Sequence, residues 1–234
     1  MTEPVCLITG AGDGTGAAMA RRFAQDGYRV AMLARTAERL KRLEKEIPGS
    51  RGYVCDIADL DALRATVEQV RADLGPVSTA IHNAAQGAFK TILEADPIQF
   101  EQIFRVNTTA LMVLTQCVAP GMITNGNGAI IVTGNTAAWR GKPSFCMFAP
   151  TKAAQRILAE SIARDLGPKG IHVAYITIDA AIDTPSTRPR MFPDKPDEFF
   201  AKPSAIADTV YHVAHQDRSA WSFNVELRPY HEQW

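Results

Sequence analysis

Short apolar runs alternate along this chain with longer segments whose apolar positions recur every three or four residues. The first run, Val5-Cys6-Leu7-Ile8-Thr9, breaks into glycines at Gly10, Gly12, Gly14 and Gly16, with Asp13 and Thr15 between them. Ala17, Ala20, Phe23 and Ala24 follow at helical spacing, so the stretch predicts strand, tight loop and a helix that ends near Gly27. A second strand is predicted over Arg29–Ala34, and Thr36 is placed to cap a helix that carries Leu40, Leu43 and Ile47 on one face. Tyr53-Val54-Cys55 predicts a third strand running into Asp56, followed by a helix striped with Leu60, Leu63, Val67, Val70 and Leu74 and closed by Gly75-Pro76. The fourth strand is Val77 to His82, entering Asn83-Ala84-Ala85.

From Pro97 to about Thr124 the pattern is helical but apolar on more than one face, which requires more than one neighbour. Ala129–Thr133 has the continuous apolar character of a central parallel strand, Ala149–Leu166 reads as a helix, and His172–Ile178 as the sixth strand. Twenty-odd residues without periodicity then precede a last helix, Ser204 to about Gln216, and a last strand, Trp221 to Leu227. Strand and helix alternating in this way predict a single domain over residues 1–234, of α/β class. Its core is a doubly wound, mostly parallel sheet of about seven strands in a three-layer α/β/α arrangement. Ligands of such sheets bind beyond the C-terminal strand ends, where strand order reverses.

Composition narrows the partners. Lys+Arg 25 balances Asp+Glu 25, so no overall basic field draws nucleic acid or anionic lipid. The start, Met1-Thr2-Glu3-Pro4, lacks a basic segment leading into an apolar core, and no window approaches a membrane span, which predicts a cytoplasmic protein. Cys6, Cys55, Cys117 and Cys146 are scattered without Cys-x-x-Cys or His at metal spacing, so buried reduced thiols and no metal are expected. His212 and His215 lack the Glu of a metalloprotease motif, and no Gly-x-Ser-x-Gly elbow occurs.

The chemistry begins at the glycine loop, whose backbone N–H groups can approach a pyrophosphate seated on the positive end of the following helix. Its spacing, Thr-Gly-x-x-x-Gly-x-Gly, resembles the nucleotide fingerprint of the short-chain dehydrogenase/reductase family, and the resemblance runs over nearly the whole chain. It implies that Asp56 and Ile57 hold an adenine, that Asn83-Ala84-Ala85 flank it, and that Asn107 sits in the helix kink of a catalytic tetrad. Ile182 and Thr184 fall where the family contacts a nicotinamide carboxamide, although the family's Pro-Gly is Asp179-Ala180 here. Singly, Asp56 also reads as a helix-start carboxylate, Asn107 as a buried amide and Thr184 as a turn hydroxyl.

An acidic residue ending the second strand would bind a ribose 2′-hydroxyl, whereas Arg pairs with a 2′-phosphate. Ala34-Arg35-Thr36 offers the guanidinium, which resembles the pattern of NADP users over NAD users, with Asp13 opposing a phosphate to some extent. In the family, a Tyr four residues before a Lys exchanges a proton with the substrate oxygen as hydride moves. Here Lys152 is preceded at that distance by Phe148, which has no proton to give. Asn135 aligns with the family's serine, with Thr136 one residue on, and Lys152 also holds the nicotinamide ribose in the family. The loop from Ala180 to Pro203, carrying Arg188, Arg190, Met191 and Phe192, is placed to cover a small-molecule substrate. The resemblance implies an NADP-dependent oxidoreductase with an altered proton donor, or else a cofactor-binding sensor without turnover. The helices from Pro97 and Ala149 resemble those that pair in family homodimers and homotetramers.

Overall fold

The computed structural model describes residues 3–231. The glycine loop joins β1 (Val5–Thr9) to α1 (Thr15–Gln25). The strand–helix unit repeats through β2 (Arg29–Ala34), α2 (Ala37–Glu46), β3 (Ser50–Val54), α3 (Leu60–Leu74) and β4 (Val77–His82). A long helix follows in three pieces, α4 (Pro97–Phe104), a π-helical turn (Arg105–Thr109) and α5 (Ala110–Thr124). Next come β5 (Gly128–Asn135), α6 (Ala149–Leu166), β6 (Ile171–Ile178) and the short β7 (Ala181–Ile182). The chain closes with α7 (Arg188–Met191), β8 (Phe200–Ala201), α8 (Pro203–Ala214) and β9 (Asn224–Leu227).

Among the described residues, seven strands form a wholly parallel sheet in the order β3-β2-β1-β4-β5-β6-β9. The chain starts in the middle, winds outward to β3, then returns to place β4 on the other side of β1. That reversal opens a crevice beyond the C-terminal ends of β1 and β4, where the glycine loop and Asn83 lie. β1 and β6 are buried along their whole length, which explains why their sequences are mostly apolar on both faces rather than alternating. One face of the sheet packs on α3, α5 and α6 through residues such as Val67, Leu114 and Ala159. The other packs on α1, α2 and α8 through Phe23, Leu43 and Val210.

Several expected boundaries move. β3 begins at Ser50 and excludes Cys55, because an edge strand with exposed Arg51 and Val54 carries no continuous apolar run. β9, likewise an edge, covers less than Trp221–Leu227. Thr36 stands at the N-cap of α2 but its side chain makes no capping bond, whereas Asp59 and Asp96 do cap α3 and α4. The aperiodic stretch is not structureless, since β7 and β8 pair with each other and α7 lies between them. Contrary to the sequence expectation, the helix Pro97–Thr124 is long and apolar enough to cross a membrane; 61% of its most apolar window is nonetheless buried inside the fold. Most of its apolar residues pack on α3, β4, β5 and α6, while Ile98, Met112 and Ile123 stay exposed.

Candidate active site

Beyond the strand ends lies an open cleft of about 1040 Å³, with the glycine loop at one wall and the N-terminus of α6 at the other. The loop is tied to β2, because the Gly10 and Ala11 N–H groups both donate to the Leu33 carbonyl. Gly10 has φ +73°, and a Cβ there would stand 2.6 Å from the Ala84 backbone; one at Gly16 would stand 2.4 Å from the Gly10 carbonyl oxygen. A Cβ at Gly12 would meet nothing within 4 Å. The backbone is thus packed behind and open in front. α1 starts without a side-chain cap or an acidic residue in its first turn, and since the Ala17 N–H already donates to the Gly12 carbonyl, the N–H groups ahead of it remain for an anion in the cleft. These residues fit a dinucleotide pyrophosphate.

Asn83 fixes the crevice from below, donating to the Gly10 carbonyl at 2.9 Å and accepting from the Thr133 hydroxyl at 3.2 Å. Asn83, Ala84 and Ala85 all line the cleft, as do Asp56 and Ile57 at its β3 end. One Asp56 oxygen accepts from the Ala58 N–H, the helix-start role that its sequence position also allows. Arg35 and Thr36 line the cleft beyond β2. Arg39, one helical turn further and not anticipated from the sequence, lines it too. Arg39 and Arg42 both pair with Asp13, so the Asp13 charge is neutralised and does not oppose a phosphate.

At the other end, Lys152 is 2% exposed and its Nζ donates to the Thr133 carbonyl at 3.3 Å and to Gln155 Oε1 at 3.0 Å. Gln155, wholly buried, donates in turn to the Asn107 carbonyl at 2.6 Å. Asn107 lies in the π-helical turn, matching the expected kink, but it stands behind the cleft wall. Its side chain holds the Gln86 backbone through both N–H and C=O, and donates to Thr151 Oγ1. It reaches the cleft through Gln86, which lines it, and through Gln155 and Lys152; Gln155 is a member of this network not anticipated from the sequence. Burial lowers the Lys152 ammonium to about 8. Burial and the Lys152 charge lower His82 to about 3, so that imidazole is neutral at physiological pH.

Phe148 occupies the N-cap position of α6 without a capping bond, with Lys152 Nζ 6.0 Å from its ring centroid. It joins Phe89 and Phe145 in an aromatic cluster, with centroids 5.0–6.1 Å apart, that forms the apolar side of this end of the cleft. Asn135 is more constrained than expected: its amide donates to the Ile178 carbonyl and accepts from the Ala137 N–H. Thr136 Oγ1 donates to Asp179 Oδ1 at 3.1 Å, and both residues line the cleft. The loop 180–203, here termed the flap, contributes Ile182, Thr184, Met191 and Phe192 to the lining, and the Thr184 methyl sits 2.6 Å from where a Gly14 Cβ would be. Arg188 instead pins the flap, pairing with Asp183 and Asp197. Among the described residues no cluster of His, Cys, Asp and Glu could hold a metal.

The family model described as short chain dehydrogenase matches residues 4–191. L-xylulose reductase of Bos taurus is 31% identical over 223 residues, covering 92% of this chain and 89% of the relative. A metagenomic short-chain oxidoreductase solved with NADP superposes with a TM-score of 0.85 at 27% identity, covering 98% of each chain. An NAD⁺-bound xylitol dehydrogenase superposes with a TM-score of 0.84 at 26% identity, covering 97% of this chain and 98% of the other.

Lys152 has a measurable consequence for stability. Its folded value, about 8, lies below its ordinary 10.5, so between those values the unfolded chain binds more protons and stability rises with pH. The burial penalty is present in full below pH 8 and is worth at most about 3 kcal/mol. Urea midpoints should therefore climb from pH 8 to 10 in the wild type. In Lys152→Met the climb should be absent and the pH 7 midpoint no lower; equal pH slopes would contradict this.

Proposed function

The chain belongs to the short-chain dehydrogenase family of nicotinamide-dependent oxidoreductases, and we propose that it uses NADP(H) to interconvert a carbonyl and an alcohol without the family's tyrosine. The observation that carries this is the buried Lys152, held at the cleft by Gln155 and Thr133 although Phe148 occupies the place of the phenol. Keeping an ammonium at 2% exposure costs stability and is hard to account for without work in the cleft. The cofactor, when bound, supplies or accepts the hydride.

The residues divide the remaining work. Gly10, Gly12, Gly14, Thr15 and Gly16 present backbone to the pyrophosphate. Arg35, Thr36 and Arg39 face the 2′-position of the adenosine ribose, Asp56 and Ile57 the adenine, and Asn83, Ala84 and Ala85 the floor between. Ile182 and Thr184 meet the carboxamide and Lys152 the nicotinamide ribose. Thr136 and Asn135 flank the substrate oxygen, and Asn107 steadies Lys152 from behind. Positioned acid–base catalysis is worth ~10²–10⁴-fold, while orienting donor and acceptor is worth roughly 7–11 kcal/mol, so loss of the phenol slows such a site without abolishing it.

A second reading, a cofactor-binding sensor without turnover, draws support from Phe148 and from the Asn135 amide being spent on backbone. The reading extends to a cytoplasmic protein with four free thiols, and to a homodimer or homotetramer. For the assembly, Met112 on α5 and Ile157 on α6 are 44% and 57% exposed on the two helices expected to pair.

Two measurements check these assignments. Arg35→Ala should weaken NADPH ~10-fold or more in fluorescence titration and leave NADH unchanged; equal affinity of the wild type for both cofactors would count against the phosphate site. Phe148→Tyr restores one hydroxyl beside Lys152 and should raise NADPH-dependent reduction of a panel of ketones, aldehydes and quinones by ~10-fold or more. Activity in neither protein, with cofactor affinity intact in both, would favour the sensor.

A further inference from the structure

We propose that Asp179, acting through the hydroxyl of Thr136, exchanges the proton with the substrate oxygen in place of the missing phenol; this rests on the oxidoreductase reading above. Asn135 and Ile178 are the last partners in the β5–β6 register, so Thr136 and Asp179 are the next residues out on adjacent strands. Both line the cleft at the Lys152 end, and Thr136 Oγ1 donates to Asp179 Oδ1 at 3.1 Å. With its proton committed to the carboxylate, the Thr136 oxygen is left as an acceptor for an incoming hydroxyl.

The other carboxylate and the nearby imidazole do not serve. Among the described residues, the carboxylates lining the cleft are Asp56 and Asp179. Asp56 follows β3, five strands from β6 in the sheet order, or roughly 24 Å at ~4.8 Å per strand, so the two cannot act on one atom. His82 does not line the cleft. Behind Lys152 the connection is an amide and a backbone carbonyl, Gln155 to Asn107, neither of which carries a proton onward. No proton is relayed away from Lys152 on that side. The Asp179 N–H donates to the Leu227 carbonyl of β9, the strand that carries Glu226 followed by its ion-pair partner Arg228, and Lys152 and Arg140 line the same cleft.

The step balances in the direction of alcohol oxidation. The substrate hydroxyl proton passes to Thr136 Oγ1 as the Thr136 proton passes to Asp179 Oδ1. The carbinol C–H bond breaks with its electron pair going as hydride to the oxidised nicotinamide, and the C–O bond becomes a carbonyl. Asp179, now a neutral acid, returns its proton to water through the open cleft. Reduction runs the same steps backwards.

The test uses the full chain with NADP⁺ and a panel of benzylic and aliphatic secondary alcohols, together with fluorescence titration of NADPH on each variant. Asp179→Asn, Asp179→Ala and Thr136→Val should each lower kcat by ~10²-fold or more, while NADPH affinity stays within about 3-fold. Thr136→Ser should keep most of the rate, and added formate should restore part of the rate to Asp179→Ala but none to Asp179→Asn. Wild-type rates in Asp179→Asn would overturn the proposal. So would a loss of NADPH affinity matching the loss of rate, since Asp179 would then be a cofactor-binding residue. Absence of turnover in the wild type, with NADPH bound, would overturn the oxidoreductase reading and this proposal together.

Discussion

A lysine ammonium held almost out of water is the constraint around which the catalytic half of this protein is arranged. An uncompensated buried charge is among the most expensive features a fold can carry, so every neighbour of Lys152 has to contribute. β5 offers the Thr133 carbonyl, α6 offers Gln155 one turn on, and the π-helical turn presents the Asn107 carbonyl that fixes Gln155 in orientation. The Asn107 side chain, turned the other way, fastens the Gln86 backbone and Thr151. A regular α-helix over residues 97–124 would offer this row of groups in a different register, which gives the π-turn a structural reason.

The cofactor half depends on a different economy, that of missing side chains. Gly10, Gly14 and Gly16 sit where a Cβ would collide with Ala84, Thr184 and the loop itself, and Gly12 faces open space. The loop can therefore be clamped from behind by β2 and Asn83 while its front remains bare peptide. Arg39 and Arg42 both pair with Asp13 at the mouth beyond β2. The two halves meet at β5, where Thr133 carries a bond to Asn83 on one side and receives the Lys152 ammonium on the other.

Much of this was legible in the sequence. Buried parallel strands write themselves as apolar runs, so β1, β2, β4, β5 and β6 were found within a residue or two, and the glycine spacing located the cleft. Edge strands were harder: β3 and β9 have one exposed side and mixed composition, and their ends moved. In the site, residues fixed by local spacing, such as Arg35, Asn83 and Lys152, fell on the cleft. Those whose meaning lies in a tertiary partner did not declare themselves. Gln155 looks like any polar position on a helix until the fold points it at Asn107, and Asp179 reads as a substitution for a family proline until β5 brings Thr136 beside it. Asn107 lies in the π-helical turn but does not itself line the cleft.

The central claim is that this cleft moves hydride even though Phe148 holds the position of the phenol. Its most direct test is a single-turnover mixing of the protein with NADPH deuterated at the transferring position of the nicotinamide and a panel of carbonyl compounds, with products read by mass spectrometry. The account predicts an alcohol carrying one deuterium on carbon, formed in proportion to the cofactor oxidised. Saturated cofactor binding with no deuterated alcohol from any carbonyl of the panel would contradict it.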